Sequence, residues 1–119
     1  MTALNYHNRI FRGVENYDSG DLNLDTRFYY HQSGNVVYGE ILGGEIARGS
    51  LLALIAQDDS LDMVWHYASR DGRIVRGTCH STPTILPDGR LRLDERWQIE
   101  GGEAGKSAIE EIGGDTSSE

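Results

Sequence analysis

Residues 61–100 read LDMVWHYASRDGRIVRGTCHSTPTILPDGRLRLDERWQIE, and two Asp-Gly pairs, Asp71-Gly72 and Asp88-Gly89, divide them into three runs rich in Leu, Ile, Val, Trp, Tyr and Thr. An Asp-Gly pair between such runs marks a β-hairpin, because these residues tolerate the positive φ of a tight reverse turn. In the third run Leu91, Leu93, Glu95, Trp97 and Ile99 alternate with Arg92, Asp94, Arg96, Gln98 and Glu100. Side chains alternate across a strand, so the second set faces water and the first faces inward. In the first run the more apolar row is Leu61, Met63, Trp65 and Tyr67. Two-residue loops at both Asp-Gly pairs set His80 opposite Met63 and Trp97, Thr78 opposite Trp65, and Arg76 opposite Tyr67. His80, Thr78 and Arg76 are therefore expected on the inner face.

The same punctuation recurs upstream at Gly34-Asn35, Gly43-Gly44 and Asp58-Asp59. Strands are predicted near 8–16, 25–33, 36–43, 45–57, 60–70, 73–86, 90–101 and 106–112. The class is all-β: an antiparallel up-and-down meander of about eight strands closing into a small barrel. One barrel domain over 1–112 is expected, with residues 17–24 a loop and 113–119 (GGDTSSE) a disordered tail. Helix is the competing state for 45–57 and 104–112, and the turn residues around 45–57 favour a strand there.

Carrying the register back places Arg48, Ser50, Leu52 and Leu54 inside, followed by Ile46, Ile41, Gly39, Val37, Tyr30 and Phe28. A three-residue loop at any step would flip every assignment upstream of it. Val36, Tyr38, Leu42, Leu51, Ala53 and Ile55 are left facing outward, an apolar row that predicts a homo-oligomer, most simply a dimer.

A chain of 119 residues with 15 Gly and 2 Pro suits one small domain with many tight turns. A formal charge of −8 opposes nucleic-acid binding and adsorption to anionic membranes. The single Cys79 makes no internal disulfide. MTALNYHNRIF lacks the apolar run of a signal peptide, so a cytoplasmic location is expected.

The inward set mixes aromatic and charged groups. Burying a charge without a partner is costly, so Arg48, Arg76, His80 and Glu95 must pair with one another, meet water or meet a ligand. Glu95 beside Trp97 on an apolar row should have a raised pKa. One outcome is an ion-pair network that closes the barrel. Another is a cavity in which Tyr30, Trp65, Tyr67 and Trp97 hold a small anionic or aromatic metabolite oriented by Arg48 or Arg76. The third is acid/base catalysis of an isomerase, cyclase or lyase type, with Glu95 or His80 as acid or base. Cys79 and His80 face opposite sides of a strand, and no metal-ligand spacing is present, so neither metal nor cofactor is expected. Gly105-Lys106-Ser107 resembles the end of a phosphate-binding loop, but Glu100 stands where its first Gly is required.

Tyr38-Gly39-Glu40, Gly43-Gly44-Glu45-Ile46, Leu61-Asp62-Met63, Pro87-Asp88-Gly89-Arg90-Leu91-Arg92-Leu93 and Glu95-Arg96-Trp97 together resemble a group of short bacterial proteins often labelled N-acetylglutamate synthase. The resemblance spans roughly residues 9–112 and implies acetyl transfer to glutamate, with no catalytic residues to carry over. The architecture also resembles lipocalin and avidin-type barrels, which implies a small-molecule site in the lumen.

Overall fold

The computed structural model describes residues 4–17 and 21–112. Eight strands follow in order: β1 (Arg9–Glu15), β2 (Arg27–Ser33), β3 (Val36–Gly43), β4 (Ile46–Ile55), β5 (Leu61–Ser69), β6 (Ile74–Ile85), β7 (Leu91–Ile99) and β8 (Ala104–Glu111). Each pairs antiparallel with the next, and β8 closes onto β1 to complete a barrel. The two segments for which helix competed are β4 and β8. The predicted tail at 113–119 lies outside the described residues.

Turn chemistry decides which side chains point inward, and here it differs from expectation. Ile55 pairs with Leu61, Ala68 with Ile74, and Ile85 with Leu91, so the loops are longer by one residue than an Asp-Gly or Asp-Asp pair alone. In the 70–72 loop, Gly72 N–H donates to Ser69 O at 3.1 Å and Ser69 N–H to Arg73 O at 2.8 Å. Gly72 and Gly89 have φ of 91° and Asp59 has φ of 70°. This is a type I turn followed by one left-handed residue, the usual three-residue hairpin.

The extra residue shifts the facing partners. Met63 lies opposite Cys79, and Cys79 opposite Trp97. On β6 the inner row is therefore Val75, Gly77, Cys79 and Ser81, and the expected inward placement of Arg76, Thr78 and His80 is corrected: all three face outward. A second shift returns β7 to its expected face, so Leu91, Leu93 and Glu95 are buried. The 57–59 loop inverts β4 in the same way. Leu51 is 4% exposed while Leu52 is 54% exposed. Arg48 also faces outward, because a bulge between Ile46 and Arg48 changes the alternation after the buried Ile46. The same bulge, which sets Ile41 opposite Gly49 while Gly43 pairs Ile46, compensates on the β3 side and leaves Val37, Ile41, Phe28 and Tyr30 inside as expected.

The barrel has a packed end and an open end. Phe11, Val37, Leu61, Leu91, Leu93 and Ile109 fill the end that carries the 34–35, 57–59 and 87–89 turns. Tyr6 from the segment before β1 plugs that end, fully buried, and its hydroxyl donates to Asp59 O at 2.5 Å. The outer surface is two-sided. Across β7, β8 and β1 it carries ion pairs such as Arg9–Glu111 at 2.7 Å, Arg92–Glu110 at 3.0 Å and Arg92–Glu15 at 2.9 Å. Across β3–β6 it carries exposed Tyr38, Leu52, Leu54, Val64 and Ile74. The outward apolar row on β4 is thus Leu52 and Leu54 rather than Leu51, Ala53 and Ile55.

Candidate functional site

At the open end the interior is not filled. A cavity of about 370 Å³ lies between the tops of the strands. Its aromatic walls are set by glycines on neighbouring strands. Trp65 lies across from Gly77, where a Cβ would come within 2.5 Å of the indole. Trp97 lies across from Gly105, where the same distance is 2.5 Å. Only a residue without a side chain leaves room for the indoles at these two positions. Trp65 stacks on Tyr67 with ring centres 5.9 Å apart and planes 10° from parallel, and its Nε1–H donates to Thr78 O at 3.1 Å. Tyr30, Phe28, Met63, Ile41, Leu51 and Ile99 add to the apolar lining.

A small polar cluster is set into this lining. Glu95 is buried, with Tyr17 Oη donating to its Oε1 at 3.2 Å and Ser81 Oγ to its Oε2 at 3.1 Å. Ser107 Oγ donates to Tyr17 Oη at 3.4 Å, and Cys79 Sγ lies 3.6 Å from Ser81 Oγ. No Arg, Lys or His forms an ion pair with Glu95 among the described residues. Burial therefore pushes its carboxyl up to about 7, with the hydrogen bonds from Ser81, Tyr17 and Cys79 holding it lower than burial alone would. Burial and then the Glu95 charge raise the Tyr17 hydroxyl, and the same two causes raise Tyr30 and the Cys79 thiol.

At the rim, Asp21, which precedes β2, is tied to β5 and to the β5–β6 turn. Tyr67 Oη donates to Asp21 Oδ2 at 2.9 Å, and Arg73 Nη2 donates to the two Asp21 oxygens at 2.9 and 3.0 Å. Arg73 Nε also donates to Asp71 at 3.0 Å.

Of the residues singled out from sequence, Glu95, Tyr30, Trp65, Tyr67 and Trp97 come together around this cavity. Arg48, Arg76 and His80 do not. Arg76 is exposed and lies 3.4 Å from Glu100, His80 meets Asp62 on the outer face at 2.9 Å, and Arg48 is exposed. Sequence reasoning missed Tyr17, Ser81, Cys79 and Ser107. A three-residue loop at 70–72 and 87–89 would have turned Cys79 and Ser81 inward. Tyr17 lies in a loop, where strand alternation carries no information.

A closed antiparallel barrel with a lined cavity at one end fits the class of small-molecule-binding barrels. Residues 4–112 match the family model described as avidin-like protein, and the chain belongs to that family. No curated protein and no solved structure matches the chain.

Proposed function

We propose that the barrel binds a small, flat molecule in its open end, with the ring system against Trp65, Tyr67 and Trp97 and a polar edge on the Glu95 cluster. The observation that supports this most is the unfilled volume of about 370 Å³ meeting a buried, cation-free carboxylate. That volume falls within the usual range of about 300–1,000 Å³ for ligand sites. A purely structural role for Glu95 would call for a paired cation or a closed core around it; among the described residues no cation pairs with it, the one cation of the lining, Arg73, being held by Asp21 and Asp71, and the space beside it is open. Arg48 and Arg76 lie outside, so an anionic ligand loses the groups expected to meet it. Native mass spectrometry of the purified protein reads the outcome. A retained small mass that disappears in Trp97→Ala supports binding in the cavity. A mass retained equally by Trp97→Ala places it elsewhere and overturns the proposal.

Acid/base catalysis is the second reading, favoured by the near-neutral Glu95 carboxyl 3.2 Å from the Tyr17 hydroxyl. With His80 outside, it rests on those two groups alone. Acetyl transfer finds no support in the described residues, which contain no helix whose N-terminus could meet a pyrophosphate.

Self-association belongs to the same proposal. Tyr38, Leu52 and Val64 are successive cross-strand partners on the outer face of β3, β4 and β5. They form a continuous apolar row opposite an ion-paired side. A second copy of the chain is the occupant that satisfies it, as a dimer. Light scattering during size exclusion should give a dimer for the native chain and a monomer for Leu52→Glu. A native monomer removes the idea.

A further inference from the structure

Resting on the binding reading above, we infer that the ligand is a planar cation of the amidine or amino-heteroaromatic class, its paired N–H groups seated on the Glu95 carboxylate. Three independent features lead there. The first is unused acceptor capacity. A carboxylate has about four lone-pair sites; the hydroxyls of Tyr17 and Ser81 occupy one on each oxygen, and the only other neighbouring donor among the described residues is the Cys79 thiol, a weak one that also lies 3.6 Å from Ser81 Oγ. Both bonds exceed 3 Å, well beyond the roughly 2.5–2.7 Å of a strong O–H···O⁻ bond. Two parallel N–H donors from an amidine match two carboxylate oxygens in a fork, and the positive charge offsets the cost of burying the negative one.

The second feature is the charge of the lining. Asp21, Glu95 and Glu103 border the cavity, and Arg73 is the one cation among its described lining residues. Arg73 is held by Asp21 and Asp71, so Arg73 and Asp21 offset each other and Glu95 and Glu103 remain. The field in the mouth is negative, which draws cations and turns away carboxylates. The third is the wall. Indole and phenol faces attract cations lying within about 6 Å of their centres, and Trp65 and Tyr67 present parallel faces. A planar cation uses both the stacking surface and the charge, whereas an aliphatic ammonium uses only the charge.

Isothermal titration of the native protein at pH 8 with benzamidine, benzamide and benzoate tests this directly. Benzamidine should bind at least about tenfold more tightly than isosteric, neutral benzamide, a ratio worth about 1.4 kcal/mol, and benzoate should give no heat. In Glu95→Gln the preference for benzamidine over benzamide should vanish, with the melting curve confirming the fold. Lowering the pH to 6 should weaken benzamidine about tenfold, as Glu95 becomes neutral. The titratable groups facing Glu95 are Tyr17, Tyr30 and Cys79, all raised far from this range, with Asp94 its neighbour in sequence. If benzamide binds as well as benzamidine, the charge assignment fails while the cavity remains a binding site. Benzoate binding, or an unchanged benzamidine affinity in Glu95→Gln, overturns the inference. Silence from all three probes removes the binding reading with it.

Discussion

Replacing Glu95 by Gln changes one charge in a buried site and almost no volume. In the folded chain burial holds the Glu95 carboxyl up to about 7, against an ordinary value of 4.5. The native state therefore binds this proton more tightly than the unfolded state does. Its stabilising contribution is complete below pH 4.5 and is lost as the pH rises through 7. One factor of ten in proton affinity is worth about 1.4 kcal/mol, so the native chain should lose about 3 kcal/mol from this group between pH 4 and pH 8. Gln cannot ionise, and its amide can accept from one of the Tyr17 and Ser81 hydroxyls and donate to the other. Glu95→Gln should match the native chain near pH 4 and exceed it by about 2–3 kcal/mol at pH 8. Urea titrations at the two pH values measure this, with an expected rise in midpoint of about 1–2 M at pH 8 for a slope of about 1–3 kcal/mol per molar. A variant that is less stable than native at pH 8, or one whose advantage is the same at both pH values, would refute an uncompensated buried carboxylate.

Other substitutions probe the rest of the barrel. Gly105→Ala would set a methyl group 2.5 Å from the Trp97 ring; about 1–3 kcal/mol of destabilisation and a shifted tryptophan emission should follow, read by denaturation and fluorescence. Tyr6→Ala removes a fully buried plug and should cost about 3–5 kcal/mol in urea denaturation. Tyr6→Phe, which loses only the bond to Asp59 O, should cost about 1 kcal/mol. Arg76→Ala and His80→Ala, both on the outer face, should stay within about 0.5 kcal/mol of native and leave benzamidine binding unaltered in titration.

Eight strands and their order could be read from turn residues and alternation because those signals are local. β7 announces its two faces through Arg92, Asp94, Arg96 and Gln98, and β5 through its apolar row, so Glu95, Trp97, Trp65 and Tyr67 were placed on the inner face without coordinates. On β6 the more polar row, Arg76, Thr78 and His80, does face outward and the less polar Val75, Gly77 and Cys79 inward, but the register carried from the neighbouring strands overrode that local pattern. That carried register depended wholly on loop length, and Asp-Gly serves a three-residue loop as readily as a two-residue one. One residue of difference exchanged His80 for Cys79 and Arg76 for Gly77 or Val75. Arg48 was misplaced by the 57–59 loop and by a bulge that no residue near Ala47 announces. Tyr17 and Asp21 lie outside the strands and are held at the cavity by long-range bonds to Glu95, Tyr67 and Arg73, and such bonds leave no local trace.

Both ends of the described chain leave the barrel on one side. Residue 4 leads into the Tyr6 plug, and Ile112 bonds to Ile10 O at 2.8 Å just past the closing pair of strands. A tether joined at residue 4 or at residue 112 would hang from the plugged pole, with the mouth pointing away from it. Immobilised at either residue, the molecule would present its cavity to the surrounding solution.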